Sequence, residues 1–307
     1  MTGAQPEPDS GADPVVDEAV ATAAQAAAAA GVSISDVHGH DRARQVSALF
    51  DRVWGRSPDA GPLFAVEVLT ALAKAGGQVT LAESDTRPIG ATAGLLGRDH
   101  TTGLLFVHSH VTGVLPEHGG KGIGRALKWH QRAWALTRGL DEVRWTFDPL
   151  VRRNAVFNLL VLGAQPIAYE RDVYGQLDDA RNVRLPTDRL LLRWDLRSPR
   201  VRAAAAGRNA APDIDGLRRA GAEIWVSVGD DERPLVTPTG ASRRLVQVPP
   251  DIETLRRTDQ STAADWAQAI RDTLGAALEA GQRISGITRD GWYVLADPAG
   301  VTELADA

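Results

Sequence analysis

The chain has 307 residues, with 34 Lys and Arg against 39 Asp and Glu, a formal net charge of −5 and no cysteine. Its length fits one full domain plus a smaller one and can bury a substantial core. The acidic balance argues against a general nucleic-acid binder, and the lack of cysteine removes disulfide frameworks and thiolate metal sites. No apolar run is long enough to span a bilayer and the N-terminus is unlike a signal peptide, so a soluble cytoplasmic protein without membrane contact is expected.

In chain order, the first dozen residues are rich in Pro, Gly, Asp and Ala and read as disordered. Residues 13–30, mostly Ala with a few acidic groups, favour helix by propensity but offer little apolar surface to dock, so 1–30 is read as a tail. Residues 32–37 alternate like a strand, and 41–54 and 63–75 carry helical periodicity, the second ended by Gly76 and Gly77. Residues 78–83, 88–96 and 104–115 then read as three successive antiparallel strands.

Residues 110–127 are the most informative stretch. An apolar strand passes through Pro116 into a glycine-rich basic loop that opens a helix. Gly119, Gly120, Gly122 and Gly124 carry no side chains to hold a ligand off the backbone, so successive N–H groups can meet an anion at the positive end of the helix. Lys121 and Arg125 add full charges. There is no Gly-Lys-Ser/Thr as in a Walker loop, and the glycines are not spaced as in a dinucleotide fingerprint. Along the helix, Ile123, Leu127, Trp134 and Leu136 form an apolar stripe, while Lys121, Arg125, Lys128 and Arg132 recur at intervals of four and three on another face. The helix is expected to end near Gly139. A strand over 141–147, a breaker at Asp148-Pro149, a helix over 154–162 closed by Gly163, and a further strand follow.

This order and loop resemble the GNAT acyltransferases, whose coenzyme A pyrophosphate loop carries Val-x-Pro and then Arg/Gln-x-x-Gly-x-Gly/Ala. The pattern falls on Val114, Pro116, Gly119, Gly122 and Gly124, with Gly119 where Arg or Gln is usual. The resemblance covers about residues 32–196. In particular the chain is similar to a bacterial GNAT branch marked by His-Ser-His at 108–110, Trp-Thr-Phe-Asp-Pro at 145–149, Asn-Ala-x-Phe-Asn at 154–158 and Pro-Thr-Asp-Arg at 186–189.

The resemblance implies an α/β fold with a mixed, mostly antiparallel central sheet flanked by helices, and N-acyl transfer from acetyl-CoA, succinyl-CoA or another acyl-CoA to a primary amine of a small molecule, such as an amino acid. It places coenzyme A on Gly113, Val114, Gly119, Gly120, Lys121, Gly122, Ile123, Gly124 and Arg125, with Asn154 and Asn158 near the pantetheine arm. The thioester carbonyl would meet a backbone N–H of the strand before the loop. His108 falls where some members carry a glutamate base, and His108 and His110 share a face by strand alternation, so both are candidate catalytic residues. The tyrosine that many members use to reprotonate the leaving thiolate is replaced by Leu159, which leaves Tyr169 and Tyr174 on the next strand as weaker candidates, Tyr169 the preferred one. Asp148 reads as a turn or capping aspartate. No metal is expected, since two histidines without a third ligand are a poor zinc signal.

After Asp195 the composition shifts. Residues 197–216 read as a linker between a GNAT domain over 31–196 and a small α/β unit over 217–307, with strands near 224–228 and 245–248, a helix over 263–280 and a final apolar pair near 284–287 and 292–295. That unit is read as a reduced GNAT-like half-unit with a structural or substrate-shaping role. The partners expected are an acyl-CoA and a small amine, with a homodimer allowed. The alternative reading is a catalytically silent acyl-CoA-binding or regulatory module, motivated by Gly119 and Leu159.

Overall fold

A computed structural model describes residues 13–56, 59, 61–175 and 186–297; the N-terminal dozen read as disordered lies outside them. The first part runs α1 Pro14–Ala30, β1 Ser33–Asp36, α2 His40–Trp54, α3 Val66–Lys74, β2 Gln78–Ser84, β3 Arg87–Arg98, β4 Leu105–Val114 and α4 Ile123–Leu136. It continues through β5 Glu142–Phe147, α5 Arg152–Ala155 with a π-helical extension Val156–Val161, β6 Gln165–Glu170 and β7 Arg189–Asp195. The strands form one sheet in the order β1-β2-β3-β4-β5-β7-β6, in which β4 and β5 are parallel and every other neighbouring pair is antiparallel. This is the mixed, mostly antiparallel α/β architecture expected.

The register of β3 with β4 carries a bulge: Ser109 pairs with Gly94 and Val111 with Ala93, which leaves His110 as the extra residue. A bulge turns the period-2 alternation over. Before it, Ser109 faces α4, accepting a hydrogen bond from Lys128 Nζ at 2.8 Å. After it, Gly113 faces α2, where a Cβ would stand 2.7 Å from the Trp54 ring and 3.0 Å from Val53. Gly113 is therefore a packing glycine that lets Trp54 lie on the strand, and it does not line the cleft described below.

Contrary to the undocked tail expected, residues 14–30 form a helix lying on α4. Asp13 caps it, its side chain accepting from the Val15 N–H at 2.9 Å, and Gly31 closes it at φ 64°. Ala19, Ala23 and Ala26 are buried on one stripe, and their small side chains let the two helices approach closely. Charge supplies the rest: Glu18 accepts from Arg132 of α4 at 2.9 Å and from Arg202 at 3.0 Å, and Asp13 from Arg197 at 2.7 Å.

The second part comprises α6 Pro199–Ala205, α7 Ile214–Arg219, β8 Glu223–Val228, β9 Pro234–Val236, β10 Arg243–Gln247 and α8 Ile252–Thr258. It ends with α9 Gln260–Ile270, a π-helical turn Arg271–Gly275, α10 Ala276–Glu279, β11 Arg283–Ile287 and β12 Trp292–Ala296. Residues 197–216 thus hold α6 and the start of α7 where a linker was expected. Ser198 caps α6 by accepting from the Val201 N–H at 3.3 Å, and Val201 and Ala204 are buried. The five strands order β11-β12-β10-β8-β9, with β8 and β10 parallel. One apolar cluster joins both sheets, containing Trp145, Leu190 and Trp194 of the first and Val226, Val246 and Tyr293 of the second.

Candidate functional site

β4 and β5 pair at Val107 with Val143 and at His108 with Arg144, then diverge. The opening is a cleft of about 370 Å³ between the two strands, walled by Ser109 to Thr112 and Val114 on one side and Trp145 to Asp148 on the other. Gly124 and Lys128 of α4, Trp54 of α2, and Val151, Asn154, Phe157 and Asn158 complete it. Beyond His108, the β4 edge that faces β5 has lost its strand partner, so its backbone groups line the opening.

The glycine loop leads from β4 into α4 at one end of this cleft. Gly122 is the helix N-cap at φ 81°, a left-handed conformation that favours glycine, and no side chain caps the helix there. The space around the loop is open: a Cβ at Gly120 or Gly124 would meet nothing within 4 Å. Lys121 and Arg125 are exposed beside it. Ile123 is buried in the core, so its contribution to any ligand is its backbone N–H. Of the remaining residues assigned to the cofactor, Val114, Asn154 and Asn158 line the cleft, with Asn158 buried.

His108 and His110 lie on the α2–α3 side, their ring centroids 5.8 Å apart, and the His110 ring meets Phe64 edge-on at 5.4 Å. His110 lines the cleft and His108 sits behind it. Burial lowers the pKa of both; for His108 the neighbouring His110 and Lys128 lower it further. Both imidazoles are therefore neutral near pH 7 and can accept a proton.

The basic stripe read from periodicity divides. Lys121 and Arg125 are exposed, but Lys128 and Arg132 are 4% and 0% exposed. Arg132 donates to the Leu196 carbonyl at 3.0 Å and pairs with Glu18. Lys128 donates to Ser109 Oγ at 2.8 Å and Gln131 Oε1 at 3.0 Å, and its ammonium lies 4.0 Å from the Trp145 ring centroid. Burial without a carboxylate partner brings its pKa down to about 7. Sequence reasoning missed this residue. The available signal was its position four residues after Gly124, one helical turn further along the face that meets the cleft.

Tyr169 is not at the cleft. It is buried on β6, its ring packed on Gly275, and its hydroxyl donates to Asp188 Oδ2 at 2.7 Å. Asp188 in turn accepts from Arg271 Nε at 2.8 Å. Burial and the Asp188 carboxylate push the phenol pKa well above its ordinary value, so it is a structural donor. Asp148 does cap a turn, accepting from the Leu150 N–H at 2.9 Å, and it also pairs with Arg256 of α8 at 2.7 Å. Arg256 and Glu253, both from the second part, thereby wall the cleft. Among the described residues no group of three or more His, Asp or Glu could hold a metal ion, and no helix is long and apolar enough to cross a membrane.

Comparison with known proteins gives three results. A search of curated proteins found no match. Among solved structures, a GNAT-family acetyltransferase from Streptococcus pneumoniae is similar at 15% identity over 53% of this chain and 98% of its own, with a TM-score of 0.41. A putative acetyltransferase from Salmonella typhimurium, solved with acetyl-CoA, is similar at 16% identity over 60% of this chain and 99% of its own (TM-score 0.43), and an N-acetyltransferase from Staphylococcus aureus at 12% over 54% and 99% (TM-score 0.43). A family model described as an acetyltransferase (GNAT) domain matches residues 16–148, the stretch from α1 through β5 that contains the glycine loop.

Proposed function

We propose that the protein is an N-acyltransferase that moves an acetyl, succinyl or other short acyl group from an acyl-CoA to a primary amine of a small molecule, such as an amino acid. The observation that carries this reading is the open β4–β5 pair with an uncapped, glycine-bounded helix start at its end. A long anionic thioester fits such a site: diphosphate over Gly119 to Arg125, pantetheine amides against Val114, Asn154 and Asn158, and the thioester between the diverging strands. The unpaired edge of β4 supplies backbone donors for the oxyanion that forms as the amine adds to the carbonyl. On the α2–α3 side, neutral His110 takes a proton from the amine, and His108 supports it from behind. Residues 197–216 mark the change from the catalytic sheet to a second unit that shapes the mouth through Arg256 and Glu253.

Calorimetry with acetyl-CoA and succinyl-CoA, followed by a thiol-release assay against a panel of primary amines, tests the reading. Binding with amine-dependent thiol release is the result expected. Tight binding with no release on any amine would favour the silent acyl-CoA-binding module, and no binding of either thioester would remove both readings. His110→Ala should lower turnover by about 10²–10⁴-fold while leaving acyl-CoA affinity unchanged, with a smaller loss in His108→Ala. Because both histidine pKa values are lowered, the acidic limb of the wild-type profile should lie below pH 6.5, the ordinary histidine value.

A further inference from the structure

Acyl transfer from a thioester needs a proton returned to sulfur, and the residue usual for that task is absent: Leu159 is buried in its place. None of the three tyrosines in the sequence can stand in. Tyr169 is held by Asp188, and Tyr293 donates to the Pro149 carbonyl at 2.9 Å in the interior. Tyr174 is 45% exposed and its hydroxyl shares a hydrogen bond at 3.2 Å with Thr146, which alternation places on the sheet face opposite Trp145 and Lys128, away from the α4 side. Asp148 has both oxygens engaged, one by Leu150 N–H and one by Arg256.

We propose that Lys128 is the group that protonates the departing coenzyme A thiolate, held at the crotch of the β4–β5 opening by Ser109 and Gln131. The geometry separates two proton-transfer duties across the sheet. His110 faces the α2–α3 side, where the amine would arrive, and Lys128 faces the α4 side, from which the glycine loop feeds the thioester. Its ammonium is fixed between Ser109 Oγ, Gln131 Oε1 and the Trp145 face, and Gln131 is itself held by donating to Gln78 Oε1 at 2.7 Å. Among the described residues no carboxylate pairs with it. The charged or titratable side chains around it are His108 and His110 on β4, Asp148 after β5 paired with Arg256 of α8, Arg153 of α5 paired with Glu253, and Arg189 of β7. Its lowered pKa, about 7, is below that of an ordinary thiol, about 8.5, so proton transfer from the ammonium to the thiolate runs downhill.

The step balances as follows. The neutral amine nitrogen forms a bond to the thioester carbon, the C–S bond breaks with its electron pair remaining on sulfur, and the ammonium of Lys128 gives one proton to that sulfur. The amide nitrogen sheds its surplus proton to His110 and then to water, and Lys128 regains a proton from solvent. The products are the amide and the free thiol.

This inference rests on the acyl-CoA reading, and its test is the alkaline side of the pH profile of thiol release. With an amine from the panel and saturating acyl-CoA, wild-type turnover should fall as the Lys128 ammonium loses its proton above about pH 7. In Lys128→Met turnover should drop about 10²–10⁴-fold and that alkaline limb should vanish, with coenzyme A still bound in calorimetry. Wild-type release that shows no alkaline limb overturns the assignment and leaves the acyl-CoA reading intact, and that measurement decides even if Lys128→Met fails to fold. Failure of the wild type to bind coenzyme A overturns the reading itself, and the inference with it.

Discussion

Each of the two sheets contains one parallel pair among antiparallel neighbours, β4 with β5 in the first and β8 with β10 in the second, yet only the first pair opens. After His108 and Arg144 no further strand pairing joins β4 to β5. In the second sheet the pairing runs from Glu223 opposite Arg244 to Val226 opposite Val246, and at its end the Val228 N–H donates to the side-chain oxygen of Gln247 at 3.0 Å. The chain then turns straight into a hairpin, Gly229 N–H donating to the Arg233 carbonyl at 2.8 Å. In the first sheet the pair opens where β4 exits into a glycine loop and a long helix. When the exit is a side-chain staple and a short strand, the same pairing makes a wall. The second unit nonetheless reaches the open pair and lends its cleft two wall residues, Glu253 and Arg256.

The sharpest way to break the contrast is to cut that loan. Arg256 is buried and Asp148 only 12% exposed, so removing one partner leaves a poorly compensated charge at the cleft wall. Arg256→Ala should destabilise the full chain by about 3–5 kcal/mol in urea unfolding. A change below about 1 kcal/mol would mean that water reaches Asp148 and that the second unit does not hold the wall.

Next in size is the loop itself. Gly122→Asp puts a Cβ and a negative charge at a left-handed helix cap that should face a diphosphate, and coenzyme A affinity should fall about 100-fold or more, ~3 kcal/mol. Gly221, before β8, is the control from the closed pair: it also has positive φ, 89°, with nothing within 4 Å of a Cβ. Gly221→Asp should cost about 1–2 kcal/mol of stability and leave affinity unchanged. Equal affinity losses in calorimetry would show that strain, and not the anion site, explains the first variant.

The open pair also buries a charge. The Lys128 pKa is 10.5 for an ordinary lysine and about 7 in the fold, so the unfolded chain holds more protons between those values and stability rises with pH across that window. The burial penalty is full below pH 7 and gone above 10.5. Lys128→Met should therefore be more stable than the wild type at pH 6, by about 2–3 kcal/mol once the lost hydrogen bonds to Ser109 and Gln131 are subtracted. The difference should close at about pH 9 and reverse above it, where only the lost hydrogen bonds remain. A pH-independent difference would mean that the amine is not desolvated.

These residues also mark where the sequence was legible. The glycine loop and the strand and helix order of the first sheet follow from local spacing, because each is a local constraint. Asn154 and Asn158, which line the cleft, are placed there by the resemblance and not by spacing. The burial of Lys128 and Arg132 does not. Steps of four and three place them on one helical face with Lys121 and Arg125, but periodicity finds a face and cannot say what covers it. Here α1 covers Arg132 through Glu18, a contact between residues 114 apart, while β4 and β5 enclose Lys128. Likewise, alternation paired His108 with His110, yet the bulge that seats His110 at the cleft is a register shift against β3, invisible in β4 alone. Tyr169 was misjudged for the same reason: its partners, Asp188 and Arg271, come from distant parts of the chain.

The smallest expected effect tests the second residue on loan. Arg153 pairs with Glu253 across the same boundary as Asp148 with Arg256, but the Arg153 side chain is 66% exposed. An ion pair with one partner in water gains little, because solvent screens the attraction and a long side chain must be held still. Arg153→Ala should therefore change stability by less than about 1 kcal/mol, against the larger loss in Arg256→Ala. Its guanidinium nonetheless lines the cleft, so a modest loss of coenzyme A affinity with unchanged urea unfolding would assign Arg153 to the ligand. A stability loss matching that of Arg256→Ala would instead show that the whole boundary, and not one buried pair, holds the second unit against the open strands.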